Sequence, residues 1–447
     1  MHCKCSRAAV MVAALLTTTL AAPGLSPASA EPHAAAATAM PAMPSSWTLE
    51  GVVVFARHGL RAPQTQIPCA SPEDIGCMNA QSQRPWPSFG VATGDLLPHG
   101  YDAARVLGAY LRQHYATVGL LPATGCPDRQ VPPAFFADDE RTAMTGGGLA
   151  DGMLTDCAVN FLVDDKLYLP KGGACIPADP KTQREAAAAF VGGSWADVVA
   201  GEMQGPIAAM AAVVGRYSPA ACQKLGLREG CTLADDRATR THSGPIGLAS
   251  TPAELFLMEY GANFERQDVA WGRLEAATGQ SLSRAIEYVN QLHALYFAAT
   301  NMPPAIAVPA GSKSLANILR SLDQFIENPD SKDPPLVVYV GHDNFMLNVA
   351  GMLGLSWKLD GYASQQVPPG GAMIFEMWRT GGGQPMVRLL YVAQKPRQLR
   401  SLSALGDEDP PATALLEIAG CKTRQGACPW ARFAEIASAT LDPNCTR

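Results

Sequence analysis

Two short stretches deliver reactive side chains directly from apolar runs. In "VVVFARHGLRAP", Val52 to Pro63, four apolar residues lead into Arg57, His58 and, three positions on, Arg61. In "LVVYVGHD", Leu336 to Asp343, a second apolar run leads into His342 and Asp343. A third candidate is Arg141, which follows the apolar stretch Ala134 to Ala137 and the acidic run Asp138-Asp139-Glu140. Each guanidinium carries five N–H donors in a planar fork that suits tetrahedral oxyanions such as phosphate. Cationic neighbours favour the neutral imidazole of His58, because a second positive charge nearby is costly. A neutral imidazole nitrogen is a nucleophile toward phosphorus, and arginines stabilise charge on a transferring phosphoryl group. Asp343 is placed to act as general acid toward a leaving oxygen. An unperturbed Asp has a pKa of about 3.9, so an acidic pH optimum is expected unless bound phosphate raises it.

Other chemistries fit less well. Arginines repel a metal cation, and the chain has no His-x-x-x-His or clustered Cys, so neither metal nor another cofactor is expected. It also lacks a G-x-x-x-x-G-K-[ST] loop, a G-x-G-x-x-G after a strand and a G-x-S-x-G elbow. Gly146 to Gly148 reads as close packing or a turn. His99 reads as a helix-start or surface residue, and His242 and His293 as structural or surface residues. The Asp138–Glu140 run is a solvated face, or one member orients Arg141.

These residues need elements to hold them. In open α/β sheets ligands bind beyond the carboxyl ends of the strands, so both histidines are expected at that rim. Buried strands are expected at Leu49–Phe55, Ala134–Ala137 and Leu336–Val340, with alternating strands at Ala372–Trp378 and Met386–Val392. Helical spacing marks Tyr101–Tyr115, the stretch from Thr142, Lys181–Val191, Ala253–Tyr260 and Ser281–Ala299. Strand and helix units at both ends with a helical middle predict an α/β domain interrupted by a mostly helical insertion.

The 447 residues suit two domains, or one with a large insertion. Residues 1–30 read as a secretory signal peptide: Lys4 and Arg7, an apolar stretch from Val10, and Ala28-Ser29-Ala30. Residues 31–46 read as a loose linker. No later apolar run is long enough for a membrane span. The formal net charge is −6, and removing Lys4 and Arg7 with the leader makes it more acidic still. Nucleic-acid binding is therefore not expected; the arginines lead to the expectation of a small phosphate-bearing molecule as partner, and oligomeric state is left open. Beyond Cys3 and Cys5, an even set of cysteines in an exported chain reads as disulfides, with 69/77, 222/231 and 421/428 close enough for local loops.

Arg57-His58-Gly59-x-Arg61-x-Pro63 and Gly341-His342-Asp343 resemble the two signatures of the histidine acid phosphatases. This is the branch of the histidine phosphatase superfamily (branch 2) that includes bacterial periplasmic phytases and glucose-1-phosphatases. "ADDERTAMTGGGLADGMLTDC", "LASTPAELFLMEY" and "QVPPGGAMIFEMWR" extend the likeness, from about Leu49 to the C-terminus. The resemblance implies a mixed central sheet with helices on both faces, like phosphoglycerate mutase. With the insertion it implies a core of 47–174 and 306–447 and a helical cap of 175–305.

It implies His58 as the phosphorylated nucleophile and Asp343 as proton donor. Arg57, Arg61, Arg141 and His342 would bind phosphate, with Glu254 as a cap-side acid near the pocket. It implies disulfides 126–157, 175–445, 222–231 and 421–428, leaving 69–77 as an extra loop. The implied function is an exported, periplasmic or secreted acid phosphatase acting through a phosphohistidine on a sugar or inositol phosphate. A phosphotransferase or mutase on the same site, and a non-catalytic sugar-phosphate binder, are the rival readings.

Two departures stand out. Asp343 is followed by Asn344-Phe345 where relatives often read Thr/Ser-Asn. No Lys or Arg lies between Pro63 and Arg84, where the phytase branch often carries a Lys. Fewer cations there favour a sugar phosphate or a broad range over phytate.

Overall fold

The apolar runs that end in His58 and His342 are neighbouring parallel strands at the centre of one mixed sheet. A computed structural model describes residues 40–64, 82, 84–127, 132–169, 175–235, 243–327, 336–421 and 426–446. The first half runs β1 (Thr48–Arg57), α1 (Pro98–Thr117), β2 (Ala134–Ala137), α2 (Glu140–Met153) and β3 (Asn160–Val163). Helices follow: α3 (Pro180–Phe190), α4 (Trp195–Ala200), α5 (Gln204–Val214), α6 (Pro219–Lys224), α7 (Pro245–Gly261), α8 (Leu274–Thr278), α9 (Leu282–Asn301) and α10 (Pro304–Glu327). The chain then returns to the sheet through β4 (Leu336–Gly341), α11 (Asp343–Leu353), β5 (Ala372–Arg379) and β6 (Pro385–Ala393). It closes with α12 (Pro396–Ser401), β7 (Ala412–Leu416), β8 (Ala427–Pro429) and α13 (Trp430–Ala439).

The strand order is β3-β2-β4-β1-β5-β6-β7, with β8 on β6. The β3, β2, β4 and β1 part is parallel, and β5, β6 and β7 continue it antiparallel. Side chains alternate across a strand. Val53 and Phe55 of β1 therefore pack on one face with Leu292 of α9, Leu315 of α10 and Met346 of α11. Val52, Val54 and Ala56 pack on the other face with Leu107 and Leu111 of α1 and Leu149 and Met153 of α2. Both faces of the central strands are thus covered, which is why they read as continuous apolar runs rather than alternating ones.

The expected elements are present with shifted ends. α1 starts at Pro98, whose ring suits the first helical turn. α2 starts at Glu140, where the Asp139 side chain accepts from the Thr142 N–H and Thr142 closes a capping box. The glycines of α2 serve close packing: a Cβ on Gly148 would lie 2.7 Å from the Tyr101 carbonyl oxygen of α1. β3 had no separate sequence signal; it is an exposed edge strand without alternation. The stretch expected as a linker is packed at its end. Met40 is buried, and the Pro41 carbonyl accepts from Arg388.

Disulfides join Cys126 to Cys157, Cys175 to Cys445, Cys222 to Cys231 and Cys421 to Cys428, as the resemblance implied. Cys69, Cys77 and His242 lie outside the described residues. Among the described residues no helix is long and apolar enough to cross a membrane.

Candidate active site

Strands β2, β4 and β1 end level with one another. Ala137 pairs with Val340, and Arg57 with Gly341, so three separate chain segments deliver their next residues to one rim. The His58 N–H donates to the Gly341 carbonyl at 2.9 Å, tying one motif to the other. Gly341 leaves room for Tyr168, whose ring would lie 2.8 Å from a Cβ there. The Gly59 N–H donates to Thr145 Oγ1 at 3.0 Å, and Thr145 donates to the Arg141 carbonyl at 2.8 Å, which locks the loop after β1 onto α2.

His58 is buried, and its Nδ1 lies 2.9 Å from the Gly59 carbonyl oxygen. A carbonyl only accepts, so Nδ1 carries the proton and Nε2 keeps a lone pair. Burial, then the fields of Arg57 and Arg61, push the imidazole well below its ordinary pKa. The cationic neighbours invoked from sequence do act, but desolvation is the larger cause.

Arg57 donates through Nη1 to the Val367 carbonyl at 2.7 Å, and its Nη2 contacts Glu254 Oε1 and, at 2.8 Å, Asp343 Oδ2. Arg61 Nη2 reaches Glu254 Oε2 at 3.0 Å. Glu254 thus bridges the two arginines of the first motif. Burial raises its carboxyl, but Arg61 and Arg57 outweigh that and hold it far below the usual carboxylate range. Glu254 and Glu259 are the only charged residues of α7, a helix buried nearly all round.

The acidic run does orient Arg141: its Nη1 lies 2.8 Å from Asp139 Oδ2. Arg141 Nη2 donates to His342 Nδ1 at 3.1 Å, so that nitrogen accepts, and His342 Nε2–H donates to Asp138 Oδ2 at 3.0 Å. The His58 and His342 rings are 5.4 Å apart. His58, Arg61, Arg141, Glu254, His342 and Asp343 line one cavity of about 370 Å³, with Arg57 buried behind it. The Nε atoms of Arg57, Arg61 and Arg141 are buried without a partner.

His293, read from sequence as structural or surface, takes the first alternative and adds a place at the pocket. It is buried and lines this cavity, with Nδ1 3.2 Å from the Ser250 carbonyl and Nε2 3.8 Å from Glu254 Oε1. Its signal was Phe297, one turn on along α9 and also at the cavity; helical spacing alone does not separate such a pair from ordinary core. His99 is different: its Nε2 lies 2.8 Å from the Leu399 carbonyl, where it joins α1 to α12. Among the described residues two groups have donor atoms close enough for a cation, Asp138/Asp139/His342 and Glu254/His293/Asp343. In the first, Arg141 pairs with Asp139, and in the second Arg57 pairs with both Glu254 and Asp343.

This arrangement suits capture of a dianionic phosphoryl group beside a neutral nitrogen nucleophile. Residues 48–190 and 278–392 match the histidine phosphatase superfamily (branch 2). The chain is 30% identical over 430 residues to the phytase AppA of Escherichia coli K12, covering 89% of this chain and 93% of that protein. It is 24% identical to a glucose-1-phosphatase of Salmonella typhimurium, covering 88% and 92%. The solved Hafnia alvei phytase, in its apo form, superposes with a TM-score of 0.76 at 28% identity, covering 90% of this chain and 99% of that one. The chain belongs to branch 2 of the histidine phosphatase superfamily, and it is a phosphomonoester hydrolase.

Proposed function

We propose that this protein is an exported, metal-independent acid phosphatase that works through a phosphohistidine at His58. The observation that carries this is the setting of His58: its Nδ1 lies 2.9 Å from the Gly59 carbonyl, which makes Nε2 the lone-pair nitrogen, and the ring lines one cavity with Arg61 and Arg141. In the first step Nε2 attacks phosphorus; the P–N bond forms and the bond to the leaving oxygen breaks. Asp343 gives that oxygen its proton. Arg57, Arg61 and Arg141 hold the phosphoryl oxygens and neutralise their charge, and His342 joins them by exchanging its hydrogen bond to Asp138 for one to phosphate. Water then attacks phosphorus with Asp343 as base, the P–N bond breaks, and phosphate leaves.

Because burial and the arginines depress the His58 pKa, the imidazole stays neutral further into the acid range than a free histidine does. The depression has a cost in stability: an unfolded imidazole takes up its proton first, so this contribution is lost as pH falls below about 6.5. The names of the relatives support a sugar or inositol phosphate as substrate. Helices α3 to α9 fall within 175–305, which acts as a cap that shapes substrate choice. The leader-like residues 1–30 and the disulfides support export.

His58→Ala is the test. Hydrolysis of p-nitrophenyl phosphate is expected to fall by at least about 10⁴-fold with the fold intact by circular dichroism. Survival of near wild-type turnover would falsify the covalent mechanism.

A further inference from the structure

A second cavity, of about 430 Å³, shares Leu169, Asn344 and Phe345 with the phosphoryl pocket. Its other walls are Pro177, Ala178, Ile306, Pro309 and Ala310, with Cys175 and Gln183, and no charged side chain among the described residues lines it. The shared residues set its direction. Asn344 directly follows Asp343, the proposed proton donor to the leaving oxygen, and its N–H donates to Asp343 Oδ1 at 2.9 Å. Phe345 is held in place by Tyr168 and His342, with ring centroids 4.9 and 5.7 Å away. Leu169 is 52% exposed, and Ile176, between two wall residues, is 78% exposed, so the approach is apolar too. An apolar surface of this kind beside a charged pocket marks a ligand groove rather than a packing defect.

We propose that this cavity is an annexe for the organic part of the substrate. It extends the enzyme's range to monophosphates of apolar alcohols, aryl or extended alkyl, with the phosphoryl group on the arginines and the apolar body against Phe345 and Ile306. The inference rests on the phosphatase reading above.

The test uses the purified protein and three esters whose alcohols have similar acidity: ethyl, hexyl and 2-naphthylethyl phosphate. The value of kcat/KM is expected to rise at least tenfold from the first to the last, about 1.4 kcal/mol. Burial of about 60 Å² of apolar surface supplies that much. Ala310→Phe, which fills the annexe, is expected to remove most of that rise. A flat series, with all three esters hydrolysed, overturns the annexe and leaves the phosphatase intact. No hydrolysis of any ester overturns both. Competition provides a measurement independent of the variant's folding. 2-Naphthylethanol is expected to inhibit ethyl phosphate hydrolysis competitively where ethanol does not; equal behaviour of the two alcohols overturns the annexe.

Discussion

Two buried clusters in this protein pair arginine with glutamate, and they are built to opposite ends. In the antiparallel half of the sheet, Glu376 of β5 stands opposite Arg388 of β6. Glu376 Oε2 accepts from Arg388 Nε at 2.7 Å and Trp378 Nε1 at 2.8 Å, and Oε1 accepts from Tyr115 at 3.2 Å. Arg388 also donates to Pro41 and lies over the Trp378 ring, 5.5 Å from its centroid. No side-chain nitrogen or oxygen of that pair is buried without a partner. At the rim, Glu254 and Asp343 meet Arg57 and Arg61, yet both arginines keep an unpartnered buried Nε, and the cluster borders a cavity. The saturated cluster can only hold structure. The unsaturated one still has donors to offer an oxyanion, and that separates a site from a clamp more sharply than charge content does.

The comparison can be broken at several points. Within the two clusters the largest effect is expected at Asp343→Asn, which removes the proton donor and keeps the shape. Turnover should fall about 10²–10⁴-fold. The loss should be greater for an alkyl phosphate than for p-nitrophenyl phosphate, whose leaving oxygen needs less protonation; equal losses on both would count against the general-acid role. Glu376→Ala should do the reverse. It leaves Arg388 charged and buried, at about 3–5 kcal/mol of stability. Activity per folded molecule should stay near wild type, and urea unfolding alongside an active-site titration separates the two.

A third buried carboxylate gives the smallest and most diagnostic change. Glu259, five residues from Glu254 on α7, has no arginine: Oε2 accepts from the Ala270 N–H at 2.8 Å, and Oε1 has no partner. Burial pushes its pKa up to about 8. The folded protein therefore holds this proton while the unfolded chain, with a Glu near about 4.3, releases it. Its stabilisation is complete below about pH 4 and is lost as pH rises through about 8. Glu259→Gln should flatten the fall in melting temperature between pH 5 and pH 8, raising it by a few degrees at the upper end. An unchanged pH slope would show that Glu259 is not the group responsible.

The readable parts of the site were those where chemistry and strand are contiguous in the chain. His58 and His342 each follow a continuous apolar strand, and a strand covered on both faces has that appearance whatever its neighbours. Arg141 was readable because it follows the apolar stretch of β2, by the same logic as the two histidines. Glu254 came only through resemblance, since a lone acid in an apolar helix has no local signature. The place of His293 at the cavity was not readable for the same reason. β3, β7 and β8 were missed: β3 is exposed throughout and shows no alternation, and β8 is only three residues long.

From sequence alone came the reacting groups, the strands that present them and the family they resemble. Only the tertiary structure decided which groups meet. Glu254 contacts Arg57 across 197 positions, and Asp138 contacts His342 across 204, through helix placement and strand register rather than through any local preference. Burial decided the rest. The same imidazole in "ARHG" is an ordinary base in water, and desolvation at the end of β1 is what keeps it neutral. The annexe is tertiary in full, since Leu169, Ile306 and Phe345 share no segment and only packing makes one wall of them.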